Sequence, residues 1–113
     1  MSVEVFLNVF SERPNPHWSL DAAHARELGR LLVSLGALPG RESSRKLGYR
    51  GFLIIGDSDF PQAGPIRVFD GVVEGPGGTR LDRDRRLERW LLESAGGALS
   101  PELRDLVKGE LER

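Results

Sequence analysis

Val3, Val5, Leu7 and Val9 alternate with Glu4, Phe6, Asn8 and Phe10. This period of two predicts a strand, and Phe6 and Phe10 make its second face partly apolar, so cover on most of both sides is expected. Pro14 and Pro16 end it, because proline cannot donate to a ladder. From Leu20 the period changes: Ala25, Leu28, Leu31, Leu32 and Leu35 fall at helical spacing, with Arg26, Glu27 and Arg30 opposite. Ser19 or Asp21 supplies the cap, Leu20 a staple on the first turn, and Gly36 and Pro39 the stop. Residues 38–46, LPGRESSRK, read as a polar, basic connection.

A second strand is predicted over 47–56, LGYRGFLIIG, where Gly48 and Gly51 mark a bulge or a close backbone approach. DSDFPQAGP is a turn cluster. The run 66–75, IRVFDGVVEG, reads as one bent strand rather than a hairpin about Asp70-Gly71, because the hairpin's halves would be only about four residues long. A glycine-rich loop and a short edge strand over 79–81 follow. Asp82 caps a helix in which Leu87, Trp90, Leu91 and Ser94 share a face. Ser100, Pro101 and Glu102 open a last helix carrying Leu103, Leu106, Val107 and Leu111. The order β-α-β-β-(β)-α-α implies an α+β fold: a small, mainly antiparallel sheet of three or four strands with two or three helices on one face. Such a sheet keeps an edge open to another backbone.

Composition narrows the function classes. The 113 residues form a single expected domain, 1–113, and 39% hydrophobic with 29% charged residues is an ordinary globular mixture. A net charge of −1 gives no field for nucleic acid or acidic lipid, so neither is an expected partner. No cysteine is present, which removes disulfides and thiolate metal sites. No basic, apolar leader occurs, and no apolar run approaches the roughly 20 residues that cross a bilayer. A cytoplasmic protein is expected.

The polar clusters offer few candidates for chemistry. His17, Asp21 and His24 could form a metal site or a small hydrolase centre; the alternative is a local loop bond and an exposed first-turn histidine. The second fits better, since no HExxH motif or carboxylate ladder accompanies them. Asp57 and Asp59 suit an Asx-type turn, and Ser58 lacks the glycines of a nucleophile elbow. GPGGTR lacks the G-K-[ST] ending that grips phosphate. No catalytic residue, metal ligand or cofactor is therefore assigned. Arg80, Arg83, Arg85, Arg86 and Arg89 crowd the start of the second helix, and Arg41, Arg45, Lys46 and Arg50 precede and enter the second strand. They are either a solvated face or a surface that grips the carboxylates of an acidic peptide segment; alternatively the Arg-rich helix docks an oligomeric accessory subunit on a larger protein.

The segment RPNP is stiff, because each proline fixes its own φ and restricts its predecessor. As a strut, Asn15 would bond backbone, Arg13 would pair with a carboxylate and Trp18 would plug the core. As a site, the same loop would present Arg13, Asn15 and His17 at low entropic cost. The strut is the better reading, with room for a site beside it.

FLNVFSERPNPHWSL, GYRGFLI, IRVFDGVV and RRLERWLLESA resemble a family of small bacterial proteins with an F-S-G-R-P-N-P-x-W-x-L signature and an L-E-x-W-L-L near the end. Glu12 stands where that signature has glycine. The chain is also similar to the peptide-binding proteins of crocagin-type ribosomal peptide biosynthesis. That resemblance implies a non-catalytic module that holds a precursor peptide for separate modifying enzymes. On that expectation Arg13, Asn15, His17 and Trp18 of the stiff loop and Tyr49 and Arg50 of the second strand hold the peptide: Arg13 and Arg50 grip acidic groups, Asn15 backbone amides, and Trp18 and Tyr49 apolar side chains. The open edge leaves room for a homodimer as well.

Overall fold

The computed structural model describes residues 2–9, 14–37, 49–57, 60, 64–75 and 78–112. The strands are β1 (Val3–Leu7), β2 (His17–Leu20), β3 (Gly36–Ala37), β4 (Phe52–Gly56), β5 (Ile66–Phe69), β6 (Val72–Gly75) and β7 (Gly78–Leu81). The helices are α1 (Ala22–Val33), α2 (Arg86–Ser94) and α3 (Pro101–Leu111). The fold is α+β, with one antiparallel sheet in the order β2-β1-β4-β5-β6-β7-β3, to which β3 adds only two residues.

Register explains the core. Trp18, Val5, Ile54 and Ile66 form one cross-strand row, and Leu7, Phe52, Val68, Val73 and Arg80 form the next. The apolar members of both rows are buried. Trp18 Nε1 donates to Ser94 Oγ on α2, and Arg80 Nη1 donates to the Leu32 carbonyl on α1. Both helices therefore lie against this face, and α3 packs on α2. The reverse rows hold His17, Phe6, Leu53, Arg67, Glu74 and Thr79, and beside them Ser19, Glu4 and Ile55. Cover there is partial: Phe6 is half-buried under the ring of His17, and Ile55 is 43% exposed. Phe10 lies outside the described residues.

The sheet exceeds the three or four strands expected, and its order differs in three places. HWSL, expected in the loop and helix start, pairs with β1 as an alternating strand; Asp21, not Ser19, caps α1 by accepting from His24 N at 2.8 Å. Gly36–Ala37, expected as a helix stop, adds to β7. Residues 66–75 are a hairpin rather than one bent strand. Asp70 (φ 56°) and Gly71 (φ 76°) both sit at positive φ between the paired Phe69 and Val72, the signature of a type I′ turn. Four-residue halves suffice because β4 and β7 flank them on either side.

Gly51 unites both expectations for its strand. Asn8 N donates to the Gly51 carbonyl at 2.9 Å while Asn8 O accepts from Arg50 N at 2.8 Å, so two residues oppose one. Gly51 has φ 86°, and a Cβ there would stand 2.2 Å from the Val68 carbonyl. Gly48 and the connection 38–46 lie outside the described residues. Ser100 caps α3 with Pro101 in its first turn, as its sequence predicts.

Candidate functional site

The stiff loop works first as a strut. Asn15 Oδ1 accepts from Val9 N at 2.9 Å, and its amide donates to Asn8 Oδ1 at 3.3 Å. Trp18 is buried and edge-on to Phe52, so it plugs the core. Arg13 lies outside the described residues. The Pro16 carbonyl accepts from Leu7 N at 2.9 Å, which starts β2 without delay.

That last bond fixes the polarity of the sheet edge. It makes residues 7 and 16 a hydrogen-bonded pair, and alternation extends this to 5 with 18 and 3 with 20. His17 and Ser19 sit in the intervening non-bonded pairs. Their N–H and C=O groups therefore point away from β1, and among the described residues β2 pairs with β1 alone.

On the open face beside that edge, Glu4 joins both side chains. His17 Nδ1 lies 3.1 Å from Glu4 Oε2, and Ser19 Oγ donates to Glu4 Oε1. The Ser19 hydroxyl, then the His17 ring, hold the Glu4 carboxyl below its ordinary range. A carboxylate only accepts, so Nδ1 carries the proton and Nε2 faces outward as an acceptor in the neutral ring. The carboxylate stands between histidine and serine, so the imidazole is not placed to take the hydroxyl proton. The trio can recognise polar groups but is not a nucleophile relay.

His24 belongs elsewhere. Its Nδ1 meets Asp21 Oδ1 at 2.8 Å, and its ring lies 6.1 Å from that of Trp90. The His24 amide, foremost, lowers the Asp21 carboxyl. His17 bonds Glu4 instead, so the three residues considered for a metal or hydrolase centre are split between two places. Among the described residues no three His, Asp or Glu side chains cluster around a common point. Of the suspected acid pair, Asp57 binds Ser2 through its backbone and side chain, and Asp59 lies outside the described residues.

Tyr49 is buried, with its ring edge-on to Phe52 and Phe69. Its hydroxyl donates to Glu88 Oε2 at 2.5 Å. Glu88 has no solvent exposure and also accepts from Gly71 N at 3.0 Å and from Arg85 through Nε at 3.0 Å and Nη2 at 2.9 Å. Burial, then the Glu88 charge, drives the Tyr49 hydroxyl well above its ordinary pKa. Asp82 accepts from Leu87 N and Glu88 N; burial still raises its pKa. Burial opposes the charge on Arg85, but the Glu88 carboxylate outweighs it and raises the pKa. This knot was missed in the sequence, although Glu88 falls at helical spacing with Leu91, Leu92 and Ala95, all buried.

The arginine cluster divides the same way. Arg85 Nη1 and Arg89 Nη2 donate to the Glu110 and Leu111 carbonyls at the end of α3, at 3.1 and 2.8 Å. Arg50 is half-buried and its backbone closes the bulge at Asn8. Arg41, Arg45 and Lys46 lie outside the described residues. Arg83 and Arg86 remain at the lip of a groove of about 540 Å³ between α1 and α2. No described helix is long and apolar enough to cross a membrane.

No family profile, curated protein or solved structure matches this chain.

Proposed function

We propose that the protein captures an extended peptide as an added strand along β2 and is not itself the catalyst. The observation that carries this reading is the outward direction of the His17 and Ser19 backbone groups on an edge strand. Such an edge supplies main-chain hydrogen bonds, and adjacent side chains add selectivity. The Asn15 latch and the Pro14–Pro16 pair hold the strand in place, so little order is lost on binding. His17, Ser19 and Glu4 flank the guest on the open face. Trp18 and Tyr49 act from behind, as packing under the strand and bulge rather than as contacts. The guest we favour is a precursor peptide of ribosomal natural-product biosynthesis, held for separate modifying enzymes in the cytoplasm.

The test is calorimetric titration of the full chain with the synthetic product of a small reading frame beside its gene. Ser19→Pro removes one outward N–H and leaves the β1 bonds in place; Ser19→Ala removes only the hydroxyl. The expected result is binding by the native chain and Ser19→Ala, weakened by roughly tenfold or more in Ser19→Pro. No heat and no rise in Tm at large excess removes the function. Equal binding by Ser19→Pro moves the guest away from this edge. A native dimer that Ser19→Pro converts to monomer assigns the edge to a second copy instead.

A further inference from the structure

The groove between α1 and α2 is lined on one side by Glu27 and Leu31 of α1 with Leu35 just beyond its end, and on the other by Arg86 and Trp90 of α2 with Arg83 in the turn that precedes it. Leu81 of β7 also lines it. Leu31, Leu35, Leu81 and Trp90 are all half-buried, so apolar surface faces the groove although each of these residues also touches protein. A volume of about 540 Å³ falls within the roughly 300–1,000 Å³ typical of small-ligand sites.

The charges around that surface are unequal. The Arg80, Arg85 and Arg89 side chains hold backbone carbonyls, whereas among the described residues neither the Arg83 nor the Arg86 guanidinium has an ion pair or hydrogen bond. Both are exposed. The Asp82 carboxylate, which lines that wall, is occupied by the Leu87 and Glu88 amides. Two forks unengaged among the described residues thus border an apolar surface, which is how an anionic head with an apolar body is recognised. Glu27 on the facing wall offsets one of the two cationic charges and leaves one for a monoanionic head to neutralise.

We propose that this groove binds an alkyl carboxylate, its head on Arg83 and Arg86 and its chain along Leu31, Leu35, Leu81 and Trp90. The site is separate from β2 and stands whether or not a peptide binds there.

The chain has two tryptophans, so two indole N–H resonances report on it: Trp18, buried and bonded to Ser94, and Trp90 in the groove. Decanoate, below its micelle-forming concentration, should shift the Trp90 signal and leave that of Trp18 in place. Affinity should rise about fourfold per added methylene from hexanoate to decanoate. The exposed double variant Arg83→Gln, Arg86→Gln should weaken decanoate by roughly tenfold or more. An unmoved Trp90 signal overturns the proposal. So does decanol or decylamine binding as well as decanoate, or an unchanged affinity in the double variant. Tighter binding of decyl phosphate overturns the assignment of a monoanionic head.

Discussion

Glu88 takes hydrogen bonds from Tyr49, Gly71 and Arg85 inside a core that would otherwise reject its charge. Tyr49→Phe leaves one side of that carboxylate with a donor fewer and should cost about 1–3 kcal/mol, read from urea unfolding at neutral pH. Alkali acts on the same bond. The folded pKa of Tyr49 is raised above the ordinary 10.0, so its contribution is complete below about pH 10 and is lost as pH climbs beyond it. Tyr49 is the chain's one tyrosine, so tyrosinate absorbance follows it alone. Absorbance that rises only together with unfolding is the expected outcome; ionisation in a still-folded chain near pH 10 contradicts the buried bond. At Asn15 the needed group is an acceptor for Val9 N. Asn15→Ala should cost about 1–2 kcal/mol and Asn15→Asp less, by the same measurement. Asn15 was legible because two prolines advertise a fixed backbone whose polar groups need partners. Tyr49 and Glu88 were not, because they lie 39 residues apart and nothing local to either announces the other.

Elements were legible where one rule dominates. The alternation of β1, the caps of α1 and α3, and the bulge at Gly51 each follow from side-chain period or a local backbone requirement. The hairpin at Asp70–Gly71 is not legible from strand length taken in isolation. Two flanking strands and the bond from Asp82 N to the Gly71 carbonyl at 2.8 Å supply what short strands lack. β2 was hidden for a related reason: four residues between a proline and a helix cap have no length of their own and become a strand only against β1. The two glycines separate conformation from space. At Gly71 a Cβ would stand 3.5 Å from the nearest atom, the Asp82 carbonyl, so Gly71→Ala meets only the left-handed penalty of about 1–2 kcal/mol. At Gly51 the same change also drives a methyl into the Val68 backbone. Gly51→Ala should therefore lower Tm by clearly more than Gly71→Ala, and equal losses would remove the close approach from the account.

Over the whole molecule, the Glu88 knot joins parts that the sheet alone does not hold together. Gly71 brings in the β5–β6 turn, Tyr49 the segment before β4, and Arg85 both α2 and the end of α3. Arg85 does so at φ 56°, next to Asp84 at φ 56°, so the backbone is strained where the guanidinium is aimed. Arg85→Ala keeps that strain and deprives a fully buried carboxylate of its cation. A loss of about 3–5 kcal/mol is the upper range for such a deletion, and the 18% exposure of the Arg85 side chain argues for its lower part. Against a total of roughly 5–15 kcal/mol for a domain, this is a large fraction. Arg85→Gly makes the same deletion while relieving the left-handed backbone, and should be the milder of the two by about 1 kcal/mol. The triple change Tyr49→Phe, Arg85→Met, Glu88→Leu removes the Arg85–Glu88 ion pair and the Tyr49 hydroxyl together, leaving Gly71 N as the donor without its acceptor, and should recover much of what Arg85→Ala loses. Urea midpoints at pH 7 compare all three. If the triple variant is no more stable than Arg85→Ala, the network's worth lies in the geometry it imposes on the turn, α2 and α3, and not in the neutralisation of a buried charge.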